Sequence, residues 1–207
     1  LTAWDGDDTL TGGAGNDTLV ANGGGADLLE GGAGIDLVSY YNATSGVVLD
    51  LGAGTAGGWA SGDTLTGIEN LEGANGHGDT LTGDSGANTL RGLGGADLLD
   101  GGDGADRLEG GSFGDTLIGG LGADTLRGDG GSDTASYAGA AEGVRAHLQY
   151  GGLAGAEALG DVFNGVENLL GSDHGDTLQA DSGDNRLEGG AGDDLLSSWD
   201  GDDSLLG

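Results

Sequence analysis

Thirteen aspartates and two asparagines fall at one fixed place in a recurring nine-residue unit. They are Asp8, Asp17, Asp27, Asp36, Asp79, Asn88, Asp97, Asp106, Asp115, Asp124, Asp133, Asp176, Asn185, Asp194 and Asp203. Side chains of this type offer oxygen and negative charge. Repeated in phase, they form a donor series suited to a hard cation and ill suited to acid–base catalysis. Catalysis by paired carboxylates needs two acids in different environments within one cleft. These acids are periodic and equivalent.

The unit that carries them reads Gly-Gly-x-Gly-x-Asp-x-Leu-x. It appears as GGAGNDTLV from Gly12, GGDGADRLE from Gly101, GGLGADTLR from Gly119 and GGAGDDLLS from Gly189. Fifteen units lie in three runs, 3–39, 74–136 and 171–206, with Ala21 an extra residue in the first. Position eight is Leu in thirteen units, with Val38 and Ala135 in the other two. A quarter-glycine chain with few aromatics has the composition of a disordered linker. A linker has no reason to hold an acid and an aliphatic in fixed phase.

Glycine at this density is costly in a helix, but it permits the backbone of tight turns. The x-Leu-x remainder is a strand of three residues, its Leu pointing to one face and its neighbours to the other. Turn and strand in alternation predict an all-β fold, a parallel β-solenoid with two short strands per eighteen-residue coil. The Leu residues then meet between two parallel sheets. About eleven coils at roughly 4.8 Å each give a rod roughly 50 Å long.

Segments 40–73 and 137–170 separate the runs, and each has 34 residues. Tyr40 aligns with Tyr137, Val47 with Val144, Asp63 with Asp161, and IENL at 68–71 with VENL at 166–169. A super-repeat of about 97 residues follows. Val47, Leu49 and Leu51 alternate with Val48 and Asp50, which is strand periodicity. The second copy predicts Val144, Ala146, Leu148 and Tyr150 on one face, with Arg145, His147 and Gln149 outward. Both spacers are expected to continue one solenoid over 1–207 with widened coils.

The charge excludes several classes. With 36 acidic and five basic residues the formal charge is -31, a field that repels nucleic acid and anionic lipid. Cations and basic surfaces are the expected partners. There is no Cys, hence no disulfide or thiolate zinc site. No apolar run is long enough to insert in a membrane. The sequence begins without Met and shows no signal peptide, so it reads as a segment of a longer chain.

Residues eighteen apart stack in successive coils, Asp97 under Asp115 under Asp133, with Asp106 and Asp124 on the opposite edge. Carboxylates about 4.8 Å apart repel by roughly 3–4 kcal/mol at an effective dielectric of 20. A cation that binds only the folded state would cancel this. Calcium fits, because it takes six to eight oxygens, from carboxylates and backbone carbonyls, in flexible geometry. Magnesium demands a rigid octahedron and keeps its waters.

The units resemble the RTX (repeats-in-toxin) calcium-binding nonapeptide. The resemblance covers about two-thirds of the chain and recurs in register. It implies a parallel β-roll with calcium in the turns, held by position-six side chains of successive coils and by glycine carbonyls. Carried onto this chain, the pairs are Asp8 with Asp27, Asp17 with Asp36, Asp79 with Asp97, Asn88 with Asp106, and Asp97 with Asp115. Asp106 with Asp124, Asp115 with Asp133, Asp176 with Asp194 and Asn185 with Asp203 complete the set, for about nine Ca2+. Some units depart from the pattern: His77, Phe113 and His174 replace the position-four Gly, and Asn88 and Asn185 remove a charge. Asp63 and Asp161 are further candidate ligands.

Other signals carry less. VVLDLGAGTAG from Val47 imitates a dinucleotide fingerprint, but GWASG follows where a helix is required. His77 and His174 are isolated turn-tip residues. Trp4, Trp59 and Trp199 are expected to cover the small core. There is no HExxH or GxSxG, and no catalytic role is expected. The sequence thus reads as a calcium-folded structural segment of a large secreted protein: adhesin stalk, surface layer or extracellular filament. The resemblance implies type I export and folding outside the cell. The alternative is a C-terminal accessory module of a type I-secreted enzyme such as a protease, lipase or epimerase. End-to-end or lateral self-association, and a glycan or surface ligand read by position-seven threonines, are the further partners in view.

Overall fold

A computed structural model describes residues 1–207. It contains no helix: every regular element is a short strand, most of three to six residues. Consecutive nonapeptides alternate between two facing stacks of strands, and like residues stack in parallel register. Leu81 pairs with Leu99, Leu99 with Leu117, and Leu117 with Ala135. On the other face Leu90 pairs with Leu108 and Leu108 with Leu126. The step is eighteen residues. In the first run Leu10 pairs with Leu29 and Leu19 with Val38, a step of nineteen that absorbs Ala21 at the end of the strand Thr18–Ala21.

Position-eight side chains form the core. From Leu19 to Leu187 they are buried almost completely, within one cluster of 33 residues that runs through the spacers as well. Each coil closes two short strands around one or two aliphatics, so the sheets stay close and the turns lie at the two edges.

The spacers remain inside the solenoid but reverse direction once. The strand Val47–Asp50 pairs forward with Thr80–Thr82. It then folds back on Thr55–Gly58 in an antiparallel hairpin. The chain next fills the rung it had skipped, pairing Thr64–Thr66 with Leu28–Glu30 and Asn70–Glu72 with Leu37–Ser39. The second spacer repeats the manoeuvre. Arg145–His147 pairs forward with Thr177–Gln179 and antiparallel with Gly151–Ala154. Val162–Asn164 then returns to Thr125–Arg127. The first hairpin joins the sheet of Leu81 and Leu99, whereas the second lies on the opposite side, in line with Leu126. Seven units separate the spacers, an odd number of half-coils, and this exchanges the faces. The stretch resembling a dinucleotide fingerprint is this first hairpin.

Three sequence expectations are corrected. His147 is buried, not outward: its strand ends there, and Tyr150 and Trp199 close over the imidazole at centroid distances of 4.4 and 6.4 Å. Tyr150, expected inward, is exposed because residues 148–150 form the hairpin turn. Of the three tryptophans only Trp59 packs on the core, edge-on to Tyr40. Trp4 and Trp199 remain 67% and 57% exposed at position two of their units.

Candidate metal centre

The position-six side chains form two continuous ladders, one along each edge. In each rung the carboxylate Oδ1 of one coil accepts the backbone N–H of the position-six residue in the preceding coil. Asp79 N–H donates to Asp97 at 2.8 Å, Asp97 to Asp115 at 2.8 Å, and Asp115 to Asp133 at 2.8 Å. Asn88 donates to Asp106 and Asp106 to Asp124 on the other edge. Asp8 with Asp27, Asp17 with Asp36, Asp176 with Asp194 and Asn185 with Asp203 are linked likewise. All nine predicted pairs are therefore adjacent rungs.

The second oxygen divides the series. Oδ2 of Asp17, Asp27, Asp36, Asp97, Asp106, Asp115, Asp124, Asp133 and Asp194 is buried and has no hydrogen-bond partner. A buried oxygen without a donor costs on the order of 1–3 kcal/mol, more when charged. In five of the other six units the chain supplies a donor itself. Trp4 N–H reaches Asp8, Ala74 N–H reaches Asp79, and Ser172 N–H reaches Asp176. Asp84 and Asp181 N–H reach the side-chain oxygens of Asn88 and Asn185.

Backbone conformation at position two accompanies this division in eight of the nine units, Gly23 before Asp27 being the exception. Gly13, Gly32, Gly102, Gly111, Gly120 and Gly190 have positive φ there, as do Leu93 and Asp129 at 75° and 68°. Each belongs to a unit whose Asp has the unpartnered oxygen. In this conformation the position-two N–H makes no bond to the carboxylate.

Position one shows what lies beside that oxygen. A Cβ placed on Gly12 would sit 2.7 Å from Asp17 Oδ2 and 2.6 Å from the carbonyl oxygen of Gly31 in the next coil. On Gly101 it would sit 2.5 Å from Asp106 Oδ2 and 2.6 Å from Gly119 O. Gly92 and Gly128 face the same kind of pair. Carboxylate and carbonyl oxygens thus converge on a pocket of about atomic size that only glycine leaves open. Nowhere do three His, Cys, Asp or Glu side chains converge on one point. The donor set is oxygen alone, half of it backbone, which fits a hard cation of flexible coordination such as calcium.

Electrostatics agree. Burial, opposed by the ladder hydrogen bond and reinforced by Asp97 and Asp133, pushes Asp115 up to about 7. Burial and the neighbouring carboxylates of Asp124, Asp84 and Asp100 raise Asp106 to about 7. Asp97 rises to about 6 for the same leading reason. These three carboxyls resist ionisation unless positive charge enters the ladder.

Sequence reasoning missed two rungs. Glu69 and Glu167 accept the backbone N–H of Asp36 and Asp133 through Oε2, and so stand at position six of the spacers. The signal was present, since Asn70-Leu71 and Asn168-Leu169 continue the unit in phase. Asp63 and Asp161 are also rungs, accepting from Asp27 and Asp124. One ladder therefore runs Asp8, Asp27, Asp63, then Asp79, Asp97, Asp115, Asp133, Glu167, Asn185, Asp203. The other runs Asp17, Asp36, Glu69, Asn88, Asp106, Asp124, Asp161, then Asp176, Asp194. His77 and His174 lie in turns outside both ladders.

A stacked parallel roll with oxygen-lined turns defines the class: a calcium-binding β-solenoid built from nonapeptides. The family model of the RTX calcium-binding nonapeptide repeat (4 copies) matches residues 1–19, 5–38, 73–108, 100–135 and 170–205. The matches cover more than half of the chain, which belongs to this family. No curated protein gives a significant match.

Proposed function

We propose that this chain is a calcium-folded rigid segment of an extracellular protein. The observation that carries the reading is the set of nine buried carboxylate oxygens without a donor. The candidate ligands are these aspartates together with position-one glycine carbonyls of the adjacent coil. Calcium, when bound, supplies the positive charge that offsets repulsion between rungs. The residues do the rest: the ladder hydrogen bonds orient each carboxylate, and the glycines keep the approach open.

Sites of this composition exist only when successive coils are stacked, so binding and folding are one event. A ligand that binds the native state alone stabilises it by mass action. Extracellular calcium-binding modules work at about 10⁻⁴–10⁻³ M, which favours a chain that folds after export. The stacking of short coils along the whole chain supports a stalk, surface layer or filament role. Circular dichroism during a calcium titration tests this. The β signal should appear cooperatively and vanish with EGTA; a chelated chain that keeps its β signal at pH 8 sinks the reading.

A further inference from the structure

The two spacers differ from the runs in one respect that recurs in both: no buried carboxylate oxygen in the ladder there lacks a donor. We infer that calcium is confined to the nonapeptide runs, and that each spacer is a metal-free joint in which N–H and O–H groups of the chain take the cation's place. The inference rests on the calcium reading above.

Three kinds of stand-in appear, each twice. Asp63 Oδ2 accepts the Tyr40 hydroxyl at 2.7 Å, and Asp161 Oδ2 accepts that of Tyr137 at 2.7 Å. Both phenols are buried. Burial first, then the adjacent carboxylate, holds each well above the usual tyrosine range, so the proton stays on oxygen. On the far side of the hairpin, Asp79 takes Val47 N–H on Oδ1 and Ala74 N–H on Oδ2, at 2.8 and 2.7 Å. Asp176 takes Val144 and Ser172 N–H at 2.7 and 2.6 Å.

The third stand-in accounts for the asparagines. Asn88 and Asn185 each follow a spacer glutamate in the ladder. Each donates Nδ2 to that glutamate's backbone carbonyl, at 2.8 Å to Glu69 and 2.9 Å to Glu167. Each also accepts a backbone N–H of its own unit on Oδ1. An aspartate here would set carboxylate against carbonyl, and only a cation could reconcile them. The amide does so without one. A buried donor aimed at each acceptor satisfies the rung at no charge.

The consequence is a ladder in blocks. Asp17, Asp27 and Asp36 form one, Asp97 to Asp133 a second, and Asp194 lies in a third. Asp63, Asp161, Asp79, Asp176, Asn88 and Asn185 belong to the joints.

The test uses the full chain with calcium as the only probe, equilibrium dialysis to saturation, and metal counted by atomic emission. Asp63→Asn and Asp161→Asn should bind as many ions as the wild type, whereas Asp106→Asn and Asp115→Asn should each bind at least one fewer. Loss of an ion from Asp63→Asn or Asp161→Asn overturns the inference. Should either fail to fold in calcium, Asn88→Asp and Asn185→Asp decide: each should gain one ion, and an unchanged count overturns it. A wild type that binds no calcium removes the calcium reading itself. A wild type that binds it, with ions lost in the spacer variants, removes only the division into blocks.

Discussion

Asp97 lends its backbone N–H to Asp115 Oδ1 at 2.8 Å, and Asp115 Oδ2, buried beside it, meets no donor at all. Half of the carboxylate is thus tied to the scaffold while the other half is left for a ligand. The first oxygen fixes where the second points, and the stacking of coils repeats the arrangement along each edge.

Replacing the second oxygen alone tests this division. Asp115→Asn keeps an oxygen for Asp97 N–H and removes the charge. The calcium midpoint for folding should rise roughly tenfold, equivalent to about 1.4 kcal/mol. Asp103→Asn, at an exposed position-three residue outside the ladder, should move it less than twofold. Equal effects from the two would show that the ladder acts only through net charge.

The cradle at position one can be filled directly. Gly101→Ala places a methyl against Asp106 Oδ2 and Gly119 O, and should cost about 2–3 kcal/mol in calcium. Gly24 has ordinary backbone and open space around it. Gly24→Ala should stay within about 0.5 kcal/mol. Thermal melts at fixed calcium compare them.

Phe113 occupies a position-four glycine place at φ 79° and is 68% exposed. A left-handed non-glycine residue costs about 1–2 kcal/mol, and little packing holds this side chain. Phe113→Gly should therefore raise stability by about 0.5–1 kcal/mol after the extra entropy of glycine. For a chain of this size that is roughly 1–4 °C in Tm. A fall in Tm would mean that the ring makes contacts the fold depends on.

The pH dependence of the metal-free chain has a defined sign. Asp97, Asp106 and Asp115 rise from 3.8 to about 6, 7 and 7 in the folded roll, chiefly through burial. The folded state therefore binds protons more tightly than the unfolded one. Stability without metal is greatest below about pH 4, falls as pH rises toward 7, and stays low above. In EGTA the β signal should be stronger at pH 4.5 than at pH 8. With calcium the trend reverses, because protons must leave before the metal enters. A chelated chain that gains β signal between pH 5 and 8 contradicts the burial of these carboxyls.

The repeat alone determined the all-β roll, the eighteen-residue step, the Leu core and the pairing of position-six residues. Glycine permits the turn, x-Leu-x makes the strand, and a fixed period leaves stacking as the way to bury every Leu. Local pattern did not reveal the spacer reversals, because alternation marks a strand without saying which rung it joins. It placed His147 outward, since period-two reading fails where a strand ends in a turn that Tyr150 and Trp199 close. Nor did it separate Asp106 from Asp79, although the two share one position of the same unit. Only the folded chain decides that Ala74 N–H meets Asp79 while no donor meets Asp106, because hydrogen-bond satisfaction depends on backbone direction at residues brought together by the coil.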